Sequence, residues 1–239
     1  MKGQFLVRSA ATFVEGNIYA DKSSLILDWL LRVGIEKDGF SLREVAKDKE
    51  VSAGLVQRVF GVLISNGILK TEGVRTAKKF FFKKPSFLLT SWLEKYSIVK
   101  KCKMRTYRSG LSEKVELLDA LKKSKLSQKV SLALHSAAES HGYKNTNLNT
   151  LELHVLDPTD RSKLEEALQL EPQERGCEVL LIEPYYESLL SLEMSSSKDI
   201  RTCPVLLTFL DLYHFPLRGR EQAESMMQCI PKLKRIKKG

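Results

Sequence analysis

The residue types that carry chemistry are few in this chain, and their spacing excludes most of it. The four cysteines, Cys102, Cys177, Cys203 and Cys229, include no C-x-x-C pair and are too widely separated for a zinc site or a disulfide framework. They point to a reducing cytoplasm. Gly34 and Gly39 have the spacing of a phosphate-binding loop, but Phe40 stands where the loop lysine must be. No G-x-S-x-G, H-E-x-x-H or G-x-G-x-x-G occurs. His135 and His141 are six apart and share no helix face well. His154 alternates with Leu153 and Val155 and reads as a surface strand residue, whereas His214 sits in an aromatic patch as a structural histidine. Glu178 and Glu183 are an odd number apart, so a strand sends them to opposite faces. The expectation is no catalytic centre, no metal and no cofactor. A nuclease assembled from distant acids stays open as a minor alternative.

What remains is cationic. Of the net +10, residues 1–110 carry +11 (21 basic, 10 acidic), and residues 111–239 carry −1 (18 basic, 19 acidic). Residues 70–108 alone hold 12 basic and 2 acidic side chains, and the stretch after Ile230 holds 5 basic and none acidic. Charge concentrated in this way calls for a polyanion, with nucleic acid first and an anionic membrane surface second. No run of eighteen apolar residues is present to span a bilayer, and Met1 to Gly16 lacks the apolar stretch of a signal peptide.

The elements that must position this charge follow from periodicity. Ser23 to Val33 reads as a serine-capped helix with apolar residues at Leu25, Ile26, Trp29, Leu30 and Val33, stopped at Gly34. Ser41 and Glu44 form a capping box for a short second helix. Ser52 caps a third, with Val56, Val59, Phe60 and Leu63 inward and Asn66-Gly67 at its end. Ile68 to Lys70 and Phe80 to Phe82 read as the strands of a hairpin with a basic tip. Ser86 to Tyr96 is a further amphipathic helix, and Lys83-Lys84-Pro85 precedes it. Beyond, Glu113 to Leu121 and Gln128 to Ser140 read as helices, Leu151 to Leu156 as a strand, Asp160 to Leu168 as a helix, and Cys177 to Ile182 as a buried strand. Val205 to Leu212 suits helix or strand equally. Arg220 to Ile230 reads as a helix closed by Pro231. Asp211, Arg218 and Arg220 suggest a buried ion-pair cluster between the last two elements.

Helix, short helix, tight turn, helix and basic hairpin is the order of a winged helix-turn-helix. A core of Leu25, Trp29, Val45, Val56, Val59 and Leu63 would hold the third helix outward, toward a major groove. Ser52, Ala53, Gly54, Gln57 and Arg58 then face the DNA. Gln57 suits an adenine edge, and Arg58 suits guanine or phosphate. The hairpin brings Arg75, Lys78 and Lys79 to the flanking backbone, and Lys70 and Lys83 extend the track. A winged helix used only for protein contacts is the competing reading.

The segment Val51 to Leu69 resembles the recognition helix and first wing strand of bacterial winged-helix regulators. Phe87-Leu-Leu-Thr-Ser-Trp-Leu-Glu-Lys-Tyr96 is similar to a helix that follows the winged helix in AbiEi-type proteins. Pro204 to Tyr213, followed by Arg218-Gly-Arg-Glu-Gln-Ala-Glu224, resembles their C-terminal signature, although Tyr213-His-Phe-Pro-Leu217 is more aromatic than the pattern. The resemblance implies a type IV antitoxin-like transcriptional regulator. It would repress its own operon through double-stranded DNA and would oppose a nucleotidyltransferase toxin without a required stable complex. The expected fold class is α+β. A winged helix-turn-helix domain would cover residues 1–100 (core 23–84), a mixed α/β domain residues 101–230 and a basic tail residues 231–239. A homodimer would match a palindromic site.

Overall fold

The computed structural model describes residues 17–74, 77–111, 113–191 and 200–238. The chain is mixed α+β. Its first part is α1 (Asp21–Arg32), α2 (Leu42–Asp48), α3 (Ala53–Ser65) and a hairpin of β1 (Leu69–Glu72) and β2 (Lys79–Phe82). α4 (Pro85–Lys95) and the single turn α5 (Ile98–Lys101) lead to β3 (Lys103–Ser109). Then come α6 (Lys114–Lys123), β4 (Val130–Leu132), α7 (Leu134–Ser140), β5 (Leu151–Val155), α8 (Arg161–Ala167), β6 (Leu170–Pro172) and β7 (Val179–Glu183). α9 (Glu187–Ser191), β8 (Arg201–Thr202), α10 (Val205–Tyr213), α11 (Gly219–Cys229) and α12 (Pro231–Lys238) complete it.

Local chemistry sets the first part. The Ser41–Glu44 capping box is formed, and the Ser52 hydroxyl accepts from Leu55 N, satisfying one orphan donor of α3. α1, by contrast, begins two residues earlier than its serines suggest. Ala20 is its N-cap, and Ser24 Oγ bonds back to the Asp21 carbonyl instead. The turn between α2 and α3 is pinned to α1. Trp29 Nε1 donates to Asp48 at 2.9 Å, and the Lys49 ammonium lies 3.0 Å from Asp28, both side chains buried. Arg32 also pairs with Asp28.

Six strands form a mixed sheet in the order β6-β3-β7-β5-β4-β8. β3 runs antiparallel to β6 and β7, β5 parallel to β7 and antiparallel to β4, and β4 parallel to β8. Alternation along the central strands divides the interior in two. Leu151, Leu153, Val155, Val179 and Leu181 face a core closed by Leu117 and Leu121 of α6 and Leu164 of α8. Leu180 and Ile182 face the other core, which takes in α7, α9, α10, α11 and the N-terminal helices and hairpin, and so draws on both sides of residue 100.

Several sequence expectations are corrected. Gln128 to Ser140 is not one helix but β4, a bend and α7. Lys103 to Ser109, at the end of the cation-rich stretch of residues 70–108 and assigned no element by periodicity, is β3; its Lys103 and Arg108 face Glu183 and Glu171 across the strand pairs. Val205 to Leu212 is helical. Residues 231–238 are not a tail. Proline has no N–H to lose at a first helical position, so Pro231 ends α11 and starts α12.

The Asp28–Lys49 pair is buried, so removing one partner strands the other. Asp28→Ala is expected to lower the unfolding free energy by about 3–5 kcal/mol, measured by urea denaturation. Asp28→Leu combined with Lys49→Met is expected to recover most of that loss.

Candidate nucleic-acid interface

α3 is held by a cluster of rings from four elements. Phe40 packs edge-on to Trp29 (5.0 Å between centroids) and to Phe60 (5.9 Å), and Phe60 meets Phe80 at 4.7 Å. Phe40 and Phe80 also exchange backbone hydrogen bonds of 3.0 and 2.9 Å, so the segment before α2 is bridged to the hairpin at one residue. Lys83 N donates to the Ile68 carbonyl at 2.9 Å and closes its base. Gly73 turns its tip at φ +80°, where a Cβ would sit 2.6 Å from the Ala77 carbonyl oxygen. Only glycine fits there.

With its inner side so fixed, α3 exposes Ser52, Ala53, Gly54, Gln57, Arg58 and Gly61. A Cβ at Gly54 or Gly61 would meet nothing within 4 Å. Neither glycine is required by packing or by backbone angle, although each weakens a helix by roughly 1 kcal/mol relative to alanine. Beside them opens a groove of about 690 Å³, lined by Ser41, Leu42 and Arg43 of α2, Gln57, Phe60, Gly61 and Ile64 of α3, and Lys78 and Phe80 of the hairpin. Gln57 and Lys78 of the expected set therefore share one surface. Lys79 is exposed on the same hairpin, next to Lys78. Lys78 and Lys83 each rest an ammonium over a phenylalanine ring, of Phe80 and Phe81, at 5.4 Å. Lys70 is partly spent on Glu72, 3.1 Å away. Arg75 lies outside the described residues. Arg43 was missed by sequence reasoning; only the groove reveals it, because its spacing within α2 relates to nothing in α3 or the hairpin.

The chemistry elsewhere is inward-turned. Among the described residues, one group of three potential metal donors occurs: His154, Cys203 and Asp211, all buried, with donor atoms within 4.8 Å of one another. Internal hydrogen bonds already engage both Asp211 oxygens, from Tyr96 Oη at 2.5 Å and with His154 Nε2 at 3.0 Å. This corrects two expectations. His154 is buried rather than on the surface, and Asp211 pairs with it rather than with arginine. Arg218, the N-cap of α11, and Arg220 pair instead with Glu221 and Glu224 of that helix. His135, His141 and His214 each engage a backbone carbonyl oxygen at 2.7–2.8 Å. Burial pushes the Cys102 thiol up to about 12 and Cys177 up to about 11, far from ready thiolates.

Among the described residues, Glu152 is the one carboxylate raised toward neutrality. Burial lifts it to about 7, against hydrogen bonds from Ser136 N and Oγ that favour its charged form. A raised carboxyl contributes stability that is complete below its ordinary 4.5 and is lost as pH climbs through 7. Glu152→Gln is therefore expected to gain relative to wild type between pH 5 and pH 8, by up to about 3 kcal/mol. Denaturation midpoints at the two pH values check this; an equal difference at both sinks it. Set against protein-family models, curated proteins and solved structures, the chain matches none of them significantly.

Proposed function

We propose that this chain is a non-enzymatic, sequence-specific double-stranded DNA-binding regulator of transcription, built on a winged helix-turn-helix. In this reading α3 is the recognition helix and the β1–β2 hairpin the wing. The observation that carries it is the outer face of α3, where two glycines without any internal purpose flank Gln57 and Arg58, with Arg43 and Lys78 lining the groove beside Gln57 and Gly61. A bare backbone on an exposed helix lets a partner approach closely, and cations on both sides suit phosphates lining a groove. Gln57 and Arg58 have no hydrogen bond or ion pair among the described residues, so their polar groups are available to base edges. Ala53 and Gly54 N–H groups, at the start of α3, suit a phosphate oxygen. On the AbiEi resemblance, the regulator would repress its own operon in the cytoplasm as a homodimer on a palindrome, and residues 101–230 would oppose a nucleotidyltransferase toxin.

The reading has a quantitative signature. If Arg43, Arg58, Lys78, Lys79 and Lys83 each neutralise a phosphate, the logarithm of affinity falls with the logarithm of salt at a slope of roughly −4 to −5. Flat binding between low and moderate salt counts against it. Arg58→Ala is expected to weaken a selected duplex by about tenfold or more. Gly61→Leu separates a DNA face from a merely solvated one. It should keep or slightly raise the unfolding free energy, since a Cβ there meets no protein atom within 4 Å and the groove beside it is open, yet weaken duplex binding at least tenfold. Unchanged affinity in Gly61→Leu removes α3 as the reader of the groove.

A further inference from the structure

We infer that α12, at the far end of the sequence, is a second phosphate-binding element that extends the cationic face of the N-terminal unit along a duplex. This rests on the DNA-binding reading above and adds a site to it. Leu233 and Ile236, 2% and 1% exposed, anchor α12 against the first core. The helix packs on α4 and α11. Its remaining described side chains point away from that seam: Lys232, Lys234, Arg235 and Lys237 are all exposed.

Two contacts place this charge beside the N-terminal unit. Arg235 Nη1 lies 2.5 Å from Glu36 Oε1. The next residue, Lys37, pairs at 2.6 Å with Glu44 in the first turn of α2, and Ser41, Leu42 and Arg43 of that same turn line the groove. At the other end, Lys237 shares a hollow of about 240 Å³ with Ser86, Leu89, Thr90 and Leu93 of α4. Ser86 follows Lys83 and Lys84, the exposed lysines at the base of the hairpin. Four basic residues that are remote in sequence are thus brought beside the unit that already carries the concentrated positive charge. Arg235 is partly neutralised by Glu36, whereas Lys232, Lys234 and Lys237 have no ion-pair partner among the described residues. A membrane role fits poorly, because a helix that lies in a bilayer needs its apolar face free, and here that face is buried in the protein.

The partner class is the phosphate backbone of a duplex, contacted without base readout. Lysines on a flexible stem act as point charges and carry no sequence information. α12 therefore contributes affinity and salt dependence but no specificity.

The test measures binding of the full chain to a fluorescein-labelled random-sequence duplex across a salt series. It compares wild type with K232Q/K234Q/K237Q and with K232R/K234R/K237R. The substituted side chains are exposed, and both anchors are retained. The glutamine triple is expected to lower the salt slope by about 2 to 3 and the arginine triple to leave it unchanged. Both should show the wild-type denaturation midpoint. An equal slope in wild type and the glutamine triple overturns the α12 site while leaving the α3 reading standing. No duplex binding by wild type overturns both. Binding of the full chain to phosphatidylserine vesicles, lost in the glutamine triple while its duplex slope is unchanged, also overturns the site in favour of a lipid surface. Should the glutamine triple unfold, Lys234→Gln alone, an exposed position between the two anchors, is expected to lower the slope by about 1, and no change there overturns the site.

Discussion

The contact of Trp29, Phe40, Phe60 and Phe80 is the constraint on which the outer face depends. Each ring comes from a different segment, and aromatic pairs prefer edge or tilted geometries over a narrow range of distance. Phe40, Phe60 and Phe80 in mutual contact, with Trp29 set against Phe40, therefore fix where α3 and the hairpin stand relative to α1. The backbone bridge between Phe40 and Phe80 adds direction to what packing alone leaves loose. The buried Asp28–Lys49 pair and the Trp29–Asp48 hydrogen bond then hold the turn that aims α3, with Glu50 at a positive φ of 51° inside it. A polar device in such a place specifies geometry more than it stabilises, since its desolvation offsets much of its attraction.

A different rule governs the second half. β5 reads Leu-Glu-Leu-His-Val, the alternation expected of a strand with one wet face. All five side chains are buried. The polar positions are satisfied by the helices that cover that face: Glu152 by Ser136 of α7 and His154 by Asp211 of α10, which Tyr96 also engages. Each partner lies 16 to 115 residues away, so nothing in the local pattern distinguishes paired polar groups from solvated ones. Buried polar groups need partners, and here the partners make the strand central.

The candidate site was more legible than the fold around it. The capping box at Ser41, the Ser52 cap, the positive φ of Gly67 and the exposed Gln57 and Arg58 all follow from chemistry within a few residues. Arg43 did not, because it joins the groove only through the packing of α2 on α3 and the hairpin. β3 was missed for a related reason. Its lysine and arginines disguise a strand whose charges are answered by Glu183 and Glu171 of neighbouring strands. High local charge reads as solvated surface until the facing strand is known.

By itself the sequence determined the local frame of the first part: its helices, the Ser41 and Ser52 caps, the hairpin, the inward core and the asymmetry of charge. These depend on short-range hydrogen bonding and on the periods of helix and strand, which a linear chain displays directly. Only the tertiary structure decided which distant charges meet. It sent Asp211 to His154 rather than to arginine, buried Lys49 against Asp28, and folded the basic C-terminus into a helix seated on α4. Coulombic and hydrogen-bonding partners are chosen by proximity in space, and proximity in space is fixed by packing the apolar faces first.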